Sequence, residues 1–429
     1  MSKTMNRREF TKLLGMAGLG VVAPLPSFNA SAAQPYSGPF YISLAAVGGW
    51  DVTSFCDPKS NPPGERDINT WANSGEIQKI GNISYAPVAG NKEFFERFYQ
   101  DMLVINGIDT QTNSHDDGRR HMWSGRLGFG YPSFGAIASS VLAPELPLSL
   151  VHANGYSETA GIARFSRLQN PDLIRNLVND NEVIAPSVTY GLFEQNEVDL
   201  ITQYQNARLE RLRGSNQLLP RQQEGMNNLV LANATRGDLQ AFAEILPDTF
   251  EADNDFRSAQ LALLAYQSGL CVSAQLGFSG FDTHQNHDTD HFTSLQKLTE
   301  LVAYIFDTAE AGGFADRVVL TMSSDFGRTP YYNSGGGKDH WPIGSAIMIK
   351  QGASWGNRVV GATDAAHGAL NINPTTLKVD SSSAGIRIEP KHLQQAMREL
   401  GGVSQSSIAQ AFPLNAESID FFNASLQTI

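Results

Sequence analysis

The chain has 429 residues, 31 Lys and Arg against 43 Asp and Glu, a formal net charge of −12 and 41% hydrophobic residues. That acidic balance excludes nucleic acid as a natural partner, because phosphate backbones recruit basic patches. Two cysteines, Cys56 and Cys271, are too few for a disulfide framework, and the apolar share is that of a globular protein with a substantial core.

The N-terminus reads as a twin-arginine export signal over residues 1–33. Arg7-Arg8-Glu9-Phe10 precedes an apolar run from Leu13 to Pro24, and Ala30-Ser31-Ala32-Ala33 supplies a small-residue cleavage site. The run is too short and Gly-rich to span a bilayer. Cleavage near Ala33 or Gln34 leaves about 396 residues and removes Lys3, Arg7, Arg8, Lys12 and Glu9, which takes the formal charge to −15. The expectation is a periplasmic or secreted protein with one large domain over 34–429.

Short apolar runs read as strands at Phe40 to Val47, Met102 to Gly107, Leu148 to His152, Val272 to Gly277, Val318 to Met322 and Ala346 to Lys350. Helical stretches fall at Lys92 to Gln100, Pro171 to Asn179, Val198 to Arg213, Arg221 to Leu246, Asp255 to Gly269 and Thr289 to Ala311. A short helical tail follows at Pro390 to Leu400 and Ser404 to Ala411. Alternating strands and helices predict an α/β fold, a mostly parallel sheet sandwiched by helices. The polar stretch from about 169 to 246 reads as a helical insertion on that core. Cys271 opens an apolar run and reads as a buried thiol.

Open α/β sheets bind ligands at the carboxyl ends of their strands, and here those ends collect Asp and His. Asp51 follows the first strand, Asp109 to His115 the second, and Asp282-Thr283-His284 the run from Val272. Asp325 to Thr329 follows Val318 to Met322, and Gly335 to His340 precedes the last strand. Carboxylate and imidazole together suit one or two divalent metal ions, zinc or manganese in the first place. The candidate metal ligands are Asp51, Asp282, His284, Asp325, Asp339 and His340. Glycines 335–337 would let the loop bring His340 close.

The segments GGWD, SH, FDTH, SDFGRTP and GGGKDHW, in this order behind an arginine-pair signal, resemble a bacterial family of exported proteins, domain of unknown function family 1501. That family lies in the alkaline phosphatase-like superfamily. The resemblance implies an alkaline phosphatase-like core and a hydrolase of phosphate or sulfate esters with a nucleophile between two metals. It implies Asp51 and Asp325 on one metal, Asp282, His284 and His340 on the other, and Ser114 as nucleophile. Thr110, Thr112 and His115 compete with Ser114, and Arg119, Arg120 or Arg328 would clamp the anion. Phe326 stands where such phosphatases carry a His, and His284 is closer to Asp282 than their spacing, so His287 is an alternative. Cys56-Asp57-Pro58-Lys59-Ser60 lacks the Arg of a sulfatase nucleophile motif. The substrate would be a small anionic ester or a sulfated or phosphorylated polymer. The alternative is a non-catalytic protein that binds a ligand or partner on the same fold.

Overall fold

The computed structural model describes residues 35–168, 182–185, 188–191, 193–213, 219, 222, 226 and 236–423. The segment expected to be an export signal and the helix expected at Pro171 to Asn179 lie outside them.

Eight strands form the main sheet: β1 (Phe40–Val47), β2 (Met102–Asp109), β3 (Leu150–Ala153), β4 (Phe165–Arg167), β5 (Ser273–Ser279), β6 (Val318–Ser324), β7 (Ile343–Ile349) and β8 (Arg358–Val360), in the order β8-β2-β7-β6-β1-β5-β3-β4. Only β7 runs against the rest. β1 and β6 pair in parallel from Phe40↔Val318 to Ala46↔Ser324, and β5 flanks β1 on its other side.

The central strands are buried on both faces, as a covered parallel sheet requires. Phe40, Ile42, Leu44 and Ala46 of β1 enter one core with Phe94, Phe95 and Phe98 of α1 (Asn91–Phe98), Leu261 of α6 (Asn254–Gln267) and Leu295, Leu298 and Ile305 of α7 (His287–Ala311). Tyr41 and Ala45 enter the other, with Met122 and Trp123 of α2 (His115–Ser124), Phe134 and Ile137 of α3 (Phe134–Leu142) and Leu393 and Met397 of α8 (Pro390–Leu400). A side-chain period of two divides each strand between the two cores. α4 (Gln195–Arg213), α5 (Arg236–Glu244) and α9 (Ser407–Ala411) are further helices among the described residues.

The α/β class and the mostly parallel sheet agree with expectation. Three differences have physical reasons. β7 starts three residues early and is antiparallel, a direction that an apolar run does not encode. α3 was not anticipated, because its apolar residues surround the whole helix and leave no amphipathic signal. The insertion is not purely helical. Glu182–Ala185 and Val188–Gly191 form an antiparallel pair, in keeping with the extended preference of Val183, Ile184, Val188 and Thr189. Cys56 and Cys271 are both buried and free, with no bond between them.

Candidate metal centre

β1, β2, β5 and β6 point the same way, so the loops that follow them meet at one edge of the sheet. β7 runs oppositely and therefore begins at that edge, which brings the preceding segment 335–340 to the same place. A Cβ on Gly337 would overlap the backbone of His284, so only glycine lets these two loops touch. A Cβ on Gly118 would likewise meet the Asp325 carbonyl, and its absence seats α2 against the end of β6.

Three imidazoles surround the Asp282 carboxylate. His284 Nε2 lies 3.1 Å and His340 Nε2 3.2 Å from Oδ1, and His115 Nε2 lies 3.5 Å from Oδ2. The opposite nitrogen of each ring faces an oxygen acceptor. His115 Nδ1 is 2.8 Å from Asp325 Oδ2, His284 Nδ1 2.8 Å from Asp339 Oδ1, and His340 Nδ1 2.8 Å from the Asn113 carbonyl. An oxygen at Nδ1 fixes the proton there and leaves the Nε2 lone pair facing inward. This is the outer arrangement that orients metal-binding histidines.

The three inward nitrogens therefore bring no positive charge of their own, and the Asp282 Oδ1 that two of them face is paired with Arg328 at 2.6 Å. His284 Nε2 and His340 Nε2 are 3.0 Å apart, and both also face a carboxylate oxygen. His115 Nε2 is buried with no hydrogen-bond partner among the described residues. One shared proton relieves one such contact, whereas one divalent ion would relieve them all. His115, Asp282 and His340 each bring a ligand atom within 4.8 Å of the others. Imidazole nitrogen and carboxylate oxygen are the donor types zinc takes.

Electrostatics hold the set in place. Burial works to raise the Asp282 carboxyl, but its surroundings, the Arg328 guanidinium at 2.6 Å first among them, outweigh it and bring the carboxyl down to about 2. The hydrogen bond to Asp325 raises the His115 pKa against the opposing effect of burial. Phe326 packs on the rings of His115 and His340, with centroids 4.8 and 4.5 Å away. The residue that departs from the phosphatase pattern is thus the apolar wall that fixes two imidazoles.

Asp51 is placed differently from expectation. It is fully buried, and Lys338 Nζ lies 2.7 Å from its Oδ2. Thr53 donates to Oδ1 from both its amide and its hydroxyl, while Ser54 and His287 reach Oδ2. The geometry makes Asp51 the counter-ion of Lys338. Lys338 also donates to Thr53 Oγ1 and Asn69 Oδ1. Its partners pull the Asp51 carboxyl well below the usual range although burial alone would raise it.

The same network locks the ligand loops. The Asp51 amide donates to His291 Nε2, so His291 Nδ1 carries a proton toward Thr283 Oγ1, whose own proton points to His287 Nδ1 at 2.8 Å. Thr283 lies between Asp282 and His284, and Lys338 directly precedes Asp339 and His340. Burial depresses the pKa of His287 and depresses that of His291 well below the ordinary 6.5, so both are held neutral. The unfolded chain takes up the protons these rings refuse. Their contribution to stability is complete above pH 6.5 and is lost as the pH falls below it. The expected slope is up to about 1.4 kcal/mol per pH unit per imidazole. Urea unfolding between pH 7 and 5 should show it, and His291→Gln should flatten it by about one proton's worth. An unchanged slope in that variant contradicts the assignment.

The remaining candidates are dispersed. Asp325 stands behind His115, accepting from its ring and from the Gly48 amide at 3.1 Å, while its Oδ1 is buried without a partner among the described residues. Asp339 stands behind His284 and also accepts from Asn333. Arg328 is turned inward rather than toward a bound anion: it is fully buried, and its guanidinium donates to the carbonyls of Gly48, Gly49 and Lys338 and to Asp282. Ser114 is the exposed N-cap of α2, without a side-chain capping bond. It does not line the cleft of about 760 Å³ in front of Asp282, where His115, Arg119, His284 and Asp290 do. Arg120 pairs with Asp117, and Arg119 pairs with Asp116 at the cleft rim. Sequence reasoning named His287 only as an alternative ligand, whereas it bonds to Asp51, and it did not foresee the buried Lys338 or His291 behind the centre. The spacing His287-x-x-x-His291 on α7 was its only signal, one helical turn apart.

No curated protein sequence matches the chain. Among solved structures it is similar to Ps i-CgsB, with a TM-score of 0.40 and 10% identity over 90% of this chain and 76% of that one. It is similar to the sulfatase PsFucS1 from Pseudoalteromonas sp., with a TM-score of 0.39 and 10% identity over 90% and 71%. It is also similar to a TAB5 alkaline phosphatase mutant with Mg bound, with a TM-score of 0.33 and 8% identity over 76% and 95%. Over residues 201–379, which hold Asp282, His284, Asp325, Lys338, Asp339 and His340, the chain matches the model of the family described as protein of unknown function, DUF1501.

Proposed function

We propose that the chain is an exported metal-dependent hydrolase of phosphate or sulfate esters, with one principal metal site. The observation that carries this reading is the inward convergence of the Nε2 atoms of His115, His284 and His340 on Asp282 while each Nδ1 faces an oxygen. These four residues would hold the ion. Bound there, it would supply a Lewis acid for an ester oxygen.

The chain's own residues define the rest. Asp325, Asp339 and the Asn113 carbonyl hold the protons of the three rings outward. Arg328 fixes the Asp282 carboxylate from behind, and Arg119, paired with Asp116, stands at the rim of the same cleft. Ser114 does not line that cleft, which favours water over a serine as nucleophile. Export rests on the arginine-pair signal, with cleavage near residue 33. Among the described residues no helix is long and apolar enough to cross a membrane.

The test is hydrolysis of p-nitrophenyl phosphate and p-nitrophenyl sulfate by the chain from residue 34 onward. Turnover is expected to fall below detection after chelation and to return with zinc or manganese. Turnover that survives chelation, or that Asp282→Ala retains, contradicts the reading.

A further inference from the structure

A second cleft of about 680 Å³ adjoins the metal centre and shares Arg119 with it. Phe129 lines it with 84% of its surface open. The ring is nevertheless not loose. The Arg120 guanidinium lies 3.7 Å from its centroid. Arg120 is itself buried and tied to Asp117 at 2.6 Å and to the Leu127 carbonyl at 2.9 Å. One face of the phenyl ring is thereby seated on a fixed cation, and the other is presented outward.

Around this platform stand Asp116, Glu158 and Phe165, the last with 39% of its surface exposed. Arg119 and Arg120 are each matched by an aspartate, so the cleft offers no unpaired cation of its own for an anion. An open aromatic face beside carboxylate acceptors suits a neutral polyhydroxylated ring. The C–H face of a pyranose lies on the negative face of the phenyl ring, and its equatorial hydroxyls donate to carboxylates at the edge. Asp116 Oδ1 accepts from Arg119 and Glu158 Oε1 from the Ala160 amide, which holds both carboxylates in place with their second oxygens open to hydroxyl donors, whereas a planar aromatic ligand would use only the ring.

We propose that this cleft is a sugar-binding subsite, in which a pyranose ring lies on Phe129 and its hydroxyls bond to Asp116 and Glu158. The ester substituent would pass Arg119 to reach the three imidazoles. The subsite rests on the hydrolase reading for its purpose, and it names the alcohol part of the ester as a sugar.

Binding is tested apart from turnover. The full mature chain, Phe129→Ala, Phe129→Trp and Asp282→Ala are applied to an array of gluco-, galacto- and uronate-containing oligosaccharides, each unmodified, sulfated and phosphorylated. The expected result is retention of one glycan set by the wild type, Phe129→Trp and Asp282→Ala, with at least a tenfold loss in Phe129→Ala. Because the ring is exposed, Phe129→Ala should unfold with the wild type, and thermal melting checks this. No retention by the wild type, or retention unchanged in Phe129→Ala, overturns the subsite. Metal content measured on the same samples separates the two readings: metal without glycan binding leaves the hydrolase standing alone, and glycan binding without metal leaves the subsite alone.

Discussion

Replacing Lys338 by Met is expected to lower stability by about 3–5 kcal/mol, the cost of leaving one member of a buried ion pair without its partner. Asp51 would keep its hydroxyl and imidazole donors but lose the ammonium that most favours its charge. The double variant Asp51→Asn with Lys338→Met should regain a substantial part of the loss, because it removes both charges together. Urea unfolding of the two single variants and the double variant measures this as a coupling energy. A loss under 1 kcal/mol in Lys338→Met would mean that the pair is solvated and does not hold the loops.

The second large effect separates ligands from the groups behind them. Asp282→Ala should abolish stoichiometric zinc binding, since all three inward nitrogens face that carboxylate. Asp325→Asn should bind zinc about 10–100-fold more weakly, the usual penalty for loss of an outer partner. Its amide oxygen can still accept from His115, but the anion that favours the ring's charge is gone. The ligand set that the resemblance implies predicts another order, with Asp51 and Asp325 as important as Asp282. Titration of zinc into metal-free protein, followed by calorimetry, reads that order directly.

Much of this site was legible in the sequence. β1, β5 and β6 are continuous apolar runs of central parallel strands, and each is followed at once by polar residues, so Asp282, Asp325 and the Asp109 to His115 segment could be assigned to one edge. His284, His340 and Asp282 do meet there. Sequence position could not distinguish residues that face the centre from residues that stand behind it. Asp51 and Asp325 occupy strand ends just as Asp282 does, yet one is consumed by Lys338 and the other by His115. That difference depends on which side chain from a distant loop arrives opposite, 287 residues away for Asp51 and Lys338. Phe326 reads as a lost ligand in one dimension, and in three it packs on two imidazoles. Arg328 carries the charge expected of an anion clamp, but the carbonyls of Gly48 and Gly49 turn it inward. The direction of β7, which delivers His340 to the right edge, follows from packing that no local pattern records.

The central claim is tested most directly by crystals of the mature protein grown with zinc and measured on both sides of the zinc absorption edge. The account predicts one strong anomalous peak among the Nε2 atoms of His115, His284 and His340 and the carboxylate of Asp282, with Lys338 still paired to Asp51. A peak at Asp51, or no zinc with the three imidazoles sharing protons with Asp282, would contradict it.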